Sequence, residues 1–284
     1  MLLLKRAAAG IALSFGLSGL PCAWAAQTTA PLEIAILPYL STRAVLSTYA
    51  PMQQYLERRL QRPVLLITAP DMQTFIKRTQ QGMYGYLITA PHFARYAQLE
   101  AGYRPFLRVE RKLYGTLVVS KNSDIHSIDD LRGKVVATPD KLAIISMLGI
   151  ELLRNHGLHP GKDVEVRATT SHNSAVLSVQ RGWAAAAVTS ATALKQMPDE
   201  LRNSVRELAT TARVPHLMYL ARGDIPAAEV DRLAAILQEF VENSPEGKTF
   251  ITNTGYGGLR KPTTEELKRL DPYVQDLKNF LTAR

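Results

Sequence analysis

The chain has 284 residues, a net charge of +9 and a single cysteine, a length that suits one large domain or two lobes. Its basic pairs (Arg58-Arg59, Lys77-Arg78, Arg111-Lys112 beside Arg108, Arg260-Lys261, Lys268-Arg269) are dispersed, with acids among most of them. No basic block is interleaved with aromatics, which excludes a nucleic-acid groove; the charge reads as a solvated surface that mildly favours anions and acidic membranes.

The first element is a leader. Lys5 and Arg6 precede an apolar run, Ala7 to Leu20, and an Ala23-Trp24-Ala25 exit. A basic end, a short apolar middle and a small-x-small exit describe a cleavable signal peptide over 1–26. The run falls short of the ~20 residues that span a bilayer. Leu20-Pro21 before Cys22 does not suit lipid attachment, so the only cysteine leaves with the leader. The mature chain then has about 258 residues and a charge of +7, which is +9 less Lys5 and Arg6. It lies outside the cytoplasm and is soluble, and it has no disulfide, thiolate metal site or cysteine nucleophile.

Leu32 to Leu37, ended by Pro38, reads as a buried strand. Ser41 or Thr42 caps a helix through Leu60. Val64 to Thr68 is a strand, Asp71 caps a helix that ends near Gly82, and Gly85 to Thr89 is a strand followed at Pro91 by a helix to about Leu99. Tyr103 to Ser120 is one long extended stretch. A second series follows: Ile128 to Gly133, a strand at Lys134–Thr138, and a helix from Leu142 to His156. Then come a strand at Val164–Val166, a helix from Ser174 to Arg181, and a small-residue strand at Ala184–Thr189. Leu217 to Leu220 is a returning strand. The tail is helical over Ala227–Asn243, Pro245–Thr252 and Thr264–Thr282, with Gly255-Tyr256-Gly257-Gly258 as a turn.

Strands alternating with helices imply parallel sheets with covered faces. Two such series joined by extended segments imply two lobes with a cleft. Ligands of open α/β sheets bind beyond the carboxyl ends of the strands. That places the loops Tyr39–Thr42, Thr89–His92, Pro139–Ala143, Thr170–Asn173 and Thr189–Ser190 at the cleft, where helix N-termini offer unpaired N–H groups to an anion.

The run Asp129-Asp130-Leu131-Arg132-Gly133-Lys134-Val135-Val136-Ala137 resembles a segment of bacterial periplasmic solute-binding proteins. Ser171-His172, Gly182 before an alanine-rich strand, the Ala90-Pro91 turn and Ile225-Pro226 narrow the resemblance to the phosphate/phosphite/phosphonate-binding proteins of ABC transporters. The order and spacing of these weak motifs carry it over nearly all of the mature chain. It implies a type II periplasmic binding fold: two α/β lobes, a ligand cleft and two crossing hinge strands. Lobe 1 is expected at 27–113 and 217–284, and lobe 2 at 114–216. It also implies a monomer in the periplasm that closes over a small solute and docks on a membrane permease, without catalysis or cofactor.

The chain departs from this family at two places. Ala143-Ile144-Ile145 stand where the family's Ser-Thr-Ser run grips an oxyanion, and Ala184-Ala185 stand where an acid often meets an amine. Buried ligand oxygens without their donors cost ~1–3 kcal/mol each, which points away from phosphonate and further from aminophosphonate.

Candidate ligand-binding residues follow from the loops. Tyr39 stacks or donates in the cleft, or packs a lobe. Ser41 and Thr42 cap a helix and can also touch a ligand. Thr89 and His92 flank a strand end, and Tyr114 lines the hinge. Asp140 and Lys141 contact a polar ligand or merely form a turn. Ser171 and His172 donate to an oxyanion, or His172 is an exposed neighbour of a helix cap. Thr189 and Ser190 are donors at a strand end. Trp183 reads as packing. His126, His156, His159 and His216 have no metal-ligand spacing. There is no nucleophile elbow and no phosphate loop. Three readings stay open: an importer's binding protein, a sensing module of a membrane receptor kinase, and an enzyme on the same scaffold.

Overall fold

The computed structural model describes residues 30–282, so the leader lies outside the described residues. The first α/β series runs β1 (Leu32–Ile36), α1 (Thr42–Leu60), β2 (Val64–Ile67), α2 (Met72–Gln80), β3 (Tyr86–Thr89) and α3 (Pro91–Ala101). Its local signals act as read. Ser41 accepts from Ala44 N–H and Asp71 from Thr74 N–H, which satisfies helix-start donors. Pro91 opens α3, where the N–H it lacks has no use.

The stretch expected to be one extended segment is two strands in different sheets. β4 (Arg104–Val109) stays with the first sheet and β5 (Leu113–Ser120) begins the second. The second series continues with β6 (Val135–Thr138), α4 (Ile144–Asn155), β7 (Glu165–Ala168), α5 (His172–Gln180) and β8 (Ala186–Ser190). It ends with α6 (Ala191–Lys195), α7 (Asp199–Asn203) and β9 (Val205–Val214). β10 (Met218–Ala221) returns to the first sheet. α8 (Ala227–Asn243), α9 (Pro245–Thr254), β11 (Leu259–Arg260), α10 (Thr264–Lys268) and α11 (Asp271–Thr282) complete the described chain. The tail helix expected to be continuous over 264–282 breaks before Pro272, whose ring clashes with a carbonyl one turn back.

Both sheets follow one plan. In the first the order is β2-β1-β3-β10-β4-β11, and in the second β7-β6-β8-β5-β9. β1 pairs in parallel with β2 and β3, and β6 with β7 and β8. An antiparallel strand beside each trio, β10 or β5, follows directly on a crossing between the sheets. One crossing spans 110–112 and the other 215–217. Gly149 lets α4 lie against β8, because a Cβ there would stand 2.6 Å from a methyl of Val188. That approach sets the start of α4 at the gap between the sheets. Among the described residues no helix is long and apolar enough to cross a membrane.

Candidate functional site

The carboxyl ends of β1, β3, β6 and β8 converge on a cavity of about 40 Å³ between the two sheets. The first sheet's side supplies Leu37, Tyr39, Met72, Ala90 and Phe93, the second Leu113, Ala143, Ile144, Ile145, His172, Ser190 and Thr192, and the second crossing His216 and Leu217. None of these side chains is an acid, a lysine or an arginine.

The polar groups form two relays. His172 is the first residue of α5, whose cap Ser171 accepts from Ser174 N–H. Its Nδ1 accepts from Ser190 N–H at 3.3 Å and from Thr189 Oγ1 at 3.1 Å. The ring proton is therefore on Nε2, which on this cavity-lining side chain has no partner among the described residues. In the second relay Leu217 N–H donates to His216 Nδ1 at 2.7 Å, so His216 Nε2–H donates to Thr192 Oγ1 at 3.1 Å. Thr192 Oγ1 lies 3.2 Å from Ser190 Oγ, which also accepts from Ala193 N–H. One hydroxyl hydrogen of this Ser190–Thr192 pair stays free to point at a guest. Burial lowers His172 and His216 to about 3, so both rings are neutral. The start of α4 adds its unpaired first-turn N–H groups at Ile144 and Ile145, with no side-chain cap from Ala143.

The lobes meet through direct bonds. His92 Nε2–H donates to Leu142 O at 2.8 Å, and burial lowers this histidine to about 4. His172 N–H donates to Tyr39 O at 3.3 Å, and Tyr39 Oη–H donates to Gln196 Oε1 at 2.7 Å. Tyr256 Oη stands 3.2 Å from Tyr39 Oη and 2.9 Å from Tyr49 Oη. Burial holds these three phenols above their ordinary range, so they stay protonated. The gap between the sheets is thus closed.

Of the twelve residues expected to touch a ligand, Tyr39, His172 and Ser190 line the cavity. Thr189 is buried behind His172 and fixes its ring, and Ser171 caps the helix that carries it. The others are elsewhere. Ser41 and Thr42 are exposed, because capping α1 turns them outward. Thr89 is buried facing α2 and α3, and its hydroxyl finds no partner among the described residues. His92 is committed to the Leu142 carbonyl. Asp140 accepts from Leu142 N–H within its own turn, and Lys141 is exposed. Tyr114 lies outside the cavity beneath the Arg213 guanidinium, 4.7 Å from its ring centroid. Trp183, expected to pack, is 59 % exposed against Arg181. Ala143-Ile144-Ile145 do sit in the cavity wall, at the helix start. His216, Thr192 and Gln196 had no local signature. Their roles arise from the second crossing and a five-residue helix that the pattern did not reveal.

A family model described as the periplasmic substrate-binding protein of ABC phosphonate transporters matches residues 34–267. Among solved structures, a binding protein component of an ABC phosphonate transporter from Pseudomonas aeruginosa is similar at TM-score 0.75 and 14 % identity, covering 89 % of each chain. PhnD1 from Prochlorococcus marinus, in complex with methylphosphonate, is similar at TM-score 0.76 and 13 % identity, covering 87 % of this chain and 98 % of that one. The periplasmic aliphatic sulphonate binding protein from Escherichia coli is similar at TM-score 0.65 and 17 % identity, covering 89 % and 94 %. At these identities the likeness is one of fold, the type II periplasmic binding fold. The match of the family model over 34–267 goes further: the chain belongs to the periplasmic phosphonate-binding family, the substrate-binding component of ABC transporters.

Proposed function

We propose that the mature chain is a monomer that traps a singly charged organic oxyanion, of sulfonate or phosphonate-monoanion type with an apolar substituent, and presents it unaltered to a permease. The observation that carries this is the cavity wall, in which every side chain is uncharged. A dianion there would face no cation, and burying unpaired charge is costly. A monoanion can be met by His172 Nε2–H, the Ser190–Thr192 hydroxyls and the start of α4, while its substituent packs on Leu37, Phe93, Ile144 and Ile145. These residues, with Tyr39, are the proposed ligand contacts; Ser171 and Thr189 position His172. Lobe 1 is taken as 27–113 with 217–284 and lobe 2 as 114–216. Cleavage of the 1–26 leader in the periplasm is part of the same reading.

Calorimetric titration of the mature chain with propanesulfonate and methylphosphonate tests this. Propanesulfonate is expected to bind with constant affinity from pH 6 to pH 8, because His172 stays neutral throughout. Methylphosphonate binding should weaken as its second proton is lost. His172→Phe, which keeps an aromatic ring and removes the donor, should weaken propanesulfonate binding about ten- to hundredfold. Tighter methylphosphonate binding at pH 8 than at pH 6 would sink the monoanion reading.

A further inference from the structure

The Gly255-Tyr256-Gly257-Gly258 turn borders a second pocket, into whose wall Gly255 enters. Gly255 has φ +73° and Gly257 φ +80°, both in the region that side chains disfavour. Each glycine also lies beside a cation. A Cβ on Gly255 would stand 3.3 Å from Lys195 Cδ and 3.6 Å from its Nζ, and one on Gly257 would stand 3.7 Å from Arg111 Nε. Lys195 comes from α6 beside the second sheet, Arg111 from the first crossing and Gly255 from the tail behind the first sheet. They enclose about 80 Å³ together with Lys112, Leu113 and Tyr114.

The charge around this pocket is unbalanced. Glu266 is shared by Arg108, Lys112 and Arg260, so one carboxylate answers three cations. Glu110, whose carboxylate stands against Gly258, is the other acid at the turn. Among the described residues Arg111, Lys195 and Arg213 enter no ion pair. Arg213 lies over the Tyr114 ring instead.

We propose that this pocket is a second binding site, for a tetrahedral oxyanion of phosphate or phosphonate type, and that the bound anion ties the closed lobes together. A guanidinium fork and an ammonium converge there, the combination that suits phosphate oxygens. Lys195 and the glycine turn belong to opposite sides of the gap. An anion touching both binds the closed arrangement better than an open one and shifts the population toward it. The site is distinct from the cation-free cavity, with which it shares only Leu113 and Thr192 as wall.

The test is calorimetry on the full mature chain with inorganic phosphate, at ionic strength held constant with sodium chloride. Saturable binding is expected, weakened by about tenfold or more in the Arg111→Gln/Lys195→Gln double variant. These side chains lie at the surface, so folding should survive, as circular dichroism can verify. Lys195→Arg should retain binding, and His172→Phe should leave it unchanged. Competition by methylphosphonate would add the head group of an organic solute to the occupants; its absence would restrict the site to the inorganic ion. Either result upholds the site. Absence of saturable heat, an unchanged affinity in the double variant, or loss in His172→Phe alone would overturn it; the last would move phosphate into the cavity.

Discussion

The cleft cavity and the pocket over the glycine turn share a wall and have opposite chemistry. Leu113 and Thr192 border both. On one side the polar atoms are neutral histidines and hydroxyls fixed by backbone N–H groups. On the other, Arg111, Lys112 and Lys195 crowd a turn with few acids. The division begins at the first crossing, where the chain passes from exposed Arg111 to buried Leu113 in two residues. A protein of an oxyanion-binding family thus keeps its cations outside the enclosed cavity. Inside, the polar groups are preorganised dipoles, which can hold a modest charge without the desolvation cost of buried cations.

The largest way to disturb this contrast is to force charge onto the neutral side. Burial lowers His92 to about 4 and His172 and His216 to about 3, against an unfolded value of ~6.5. Between these limits the unfolded chain takes up protons first, so stability is full above the unfolded value and falls as pH drops below it. Each ring contributes about 1.4 kcal/mol between pH 7.5 and pH 5.5, so the three together remove about 4 kcal/mol. Urea midpoints across that range measure the loss. His216→Gln should flatten the slope by about a third if its ring is one of the three. A midpoint independent of pH would contradict the neutral relays.

The next largest disturbance is on the charged side. Arg108 is fully buried, and both its fork bonds end on Glu266, at 2.9 and 2.7 Å. Glu266 is also the third residue of the α10 capping box with Thr263, a role that glutamine fills equally well. Glu266→Gln therefore isolates the charge. It leaves a buried guanidinium unpaired and is expected to cost about 3 kcal/mol or more in urea unfolding. The same change raises the positive potential of the outer pocket, so phosphate affinity should rise while stability falls.

Much of this architecture is legible in the chain because local rules and tertiary structure agree. Leu32–Ile36 and Ala186–Ser190 are short buried strands, and Ser171 caps α5 and so brings His172 to the cleft. The rule that ligands sit beyond strand ends pointed to Tyr39, His172 and Ser190, and these line the cavity between the sheets. It also pointed to Ser41, Thr42 and Lys141, which lie in cleft-side loops but are exposed, since a loop's position does not fix the direction of each side chain. β9 escaped notice because it is an edge strand. Arg206, Glu207, Thr210 and Arg213 along it break the apolar alternation that marks a strand. His216 and Gln196 gain their roles from contacts across the closed gap, to Thr192 and to Tyr39 and Tyr256. Periodicity holds no information about such contacts.

The smallest expected effect falls on the residue that belongs to both regions. The backbone of Tyr256 continues the glycine turn, and its buried hydroxyl joins Tyr49, Tyr39 and Gln196. Tyr256→Phe keeps the ring packing on Phe250 and His216 and removes one oxygen. Tyr49 then loses its hydroxyl partner inside the first lobe, and the bridge to Gln196 thins to the single bond from Tyr39. The expected cost is about 1–2 kcal/mol of stability, read as a lower melting temperature. Part of that cost should be interlobe, because Gln196 lies on the second lobe's side. In small-angle scattering the variant should therefore be less compact than the wild type without solute, and should recover its compaction when propanesulfonate is bound. A variant that melts earlier but scatters identically in both states would confine the Tyr256 hydroxyl to holding one lobe together and leave closure to the Tyr39–Gln196 bond.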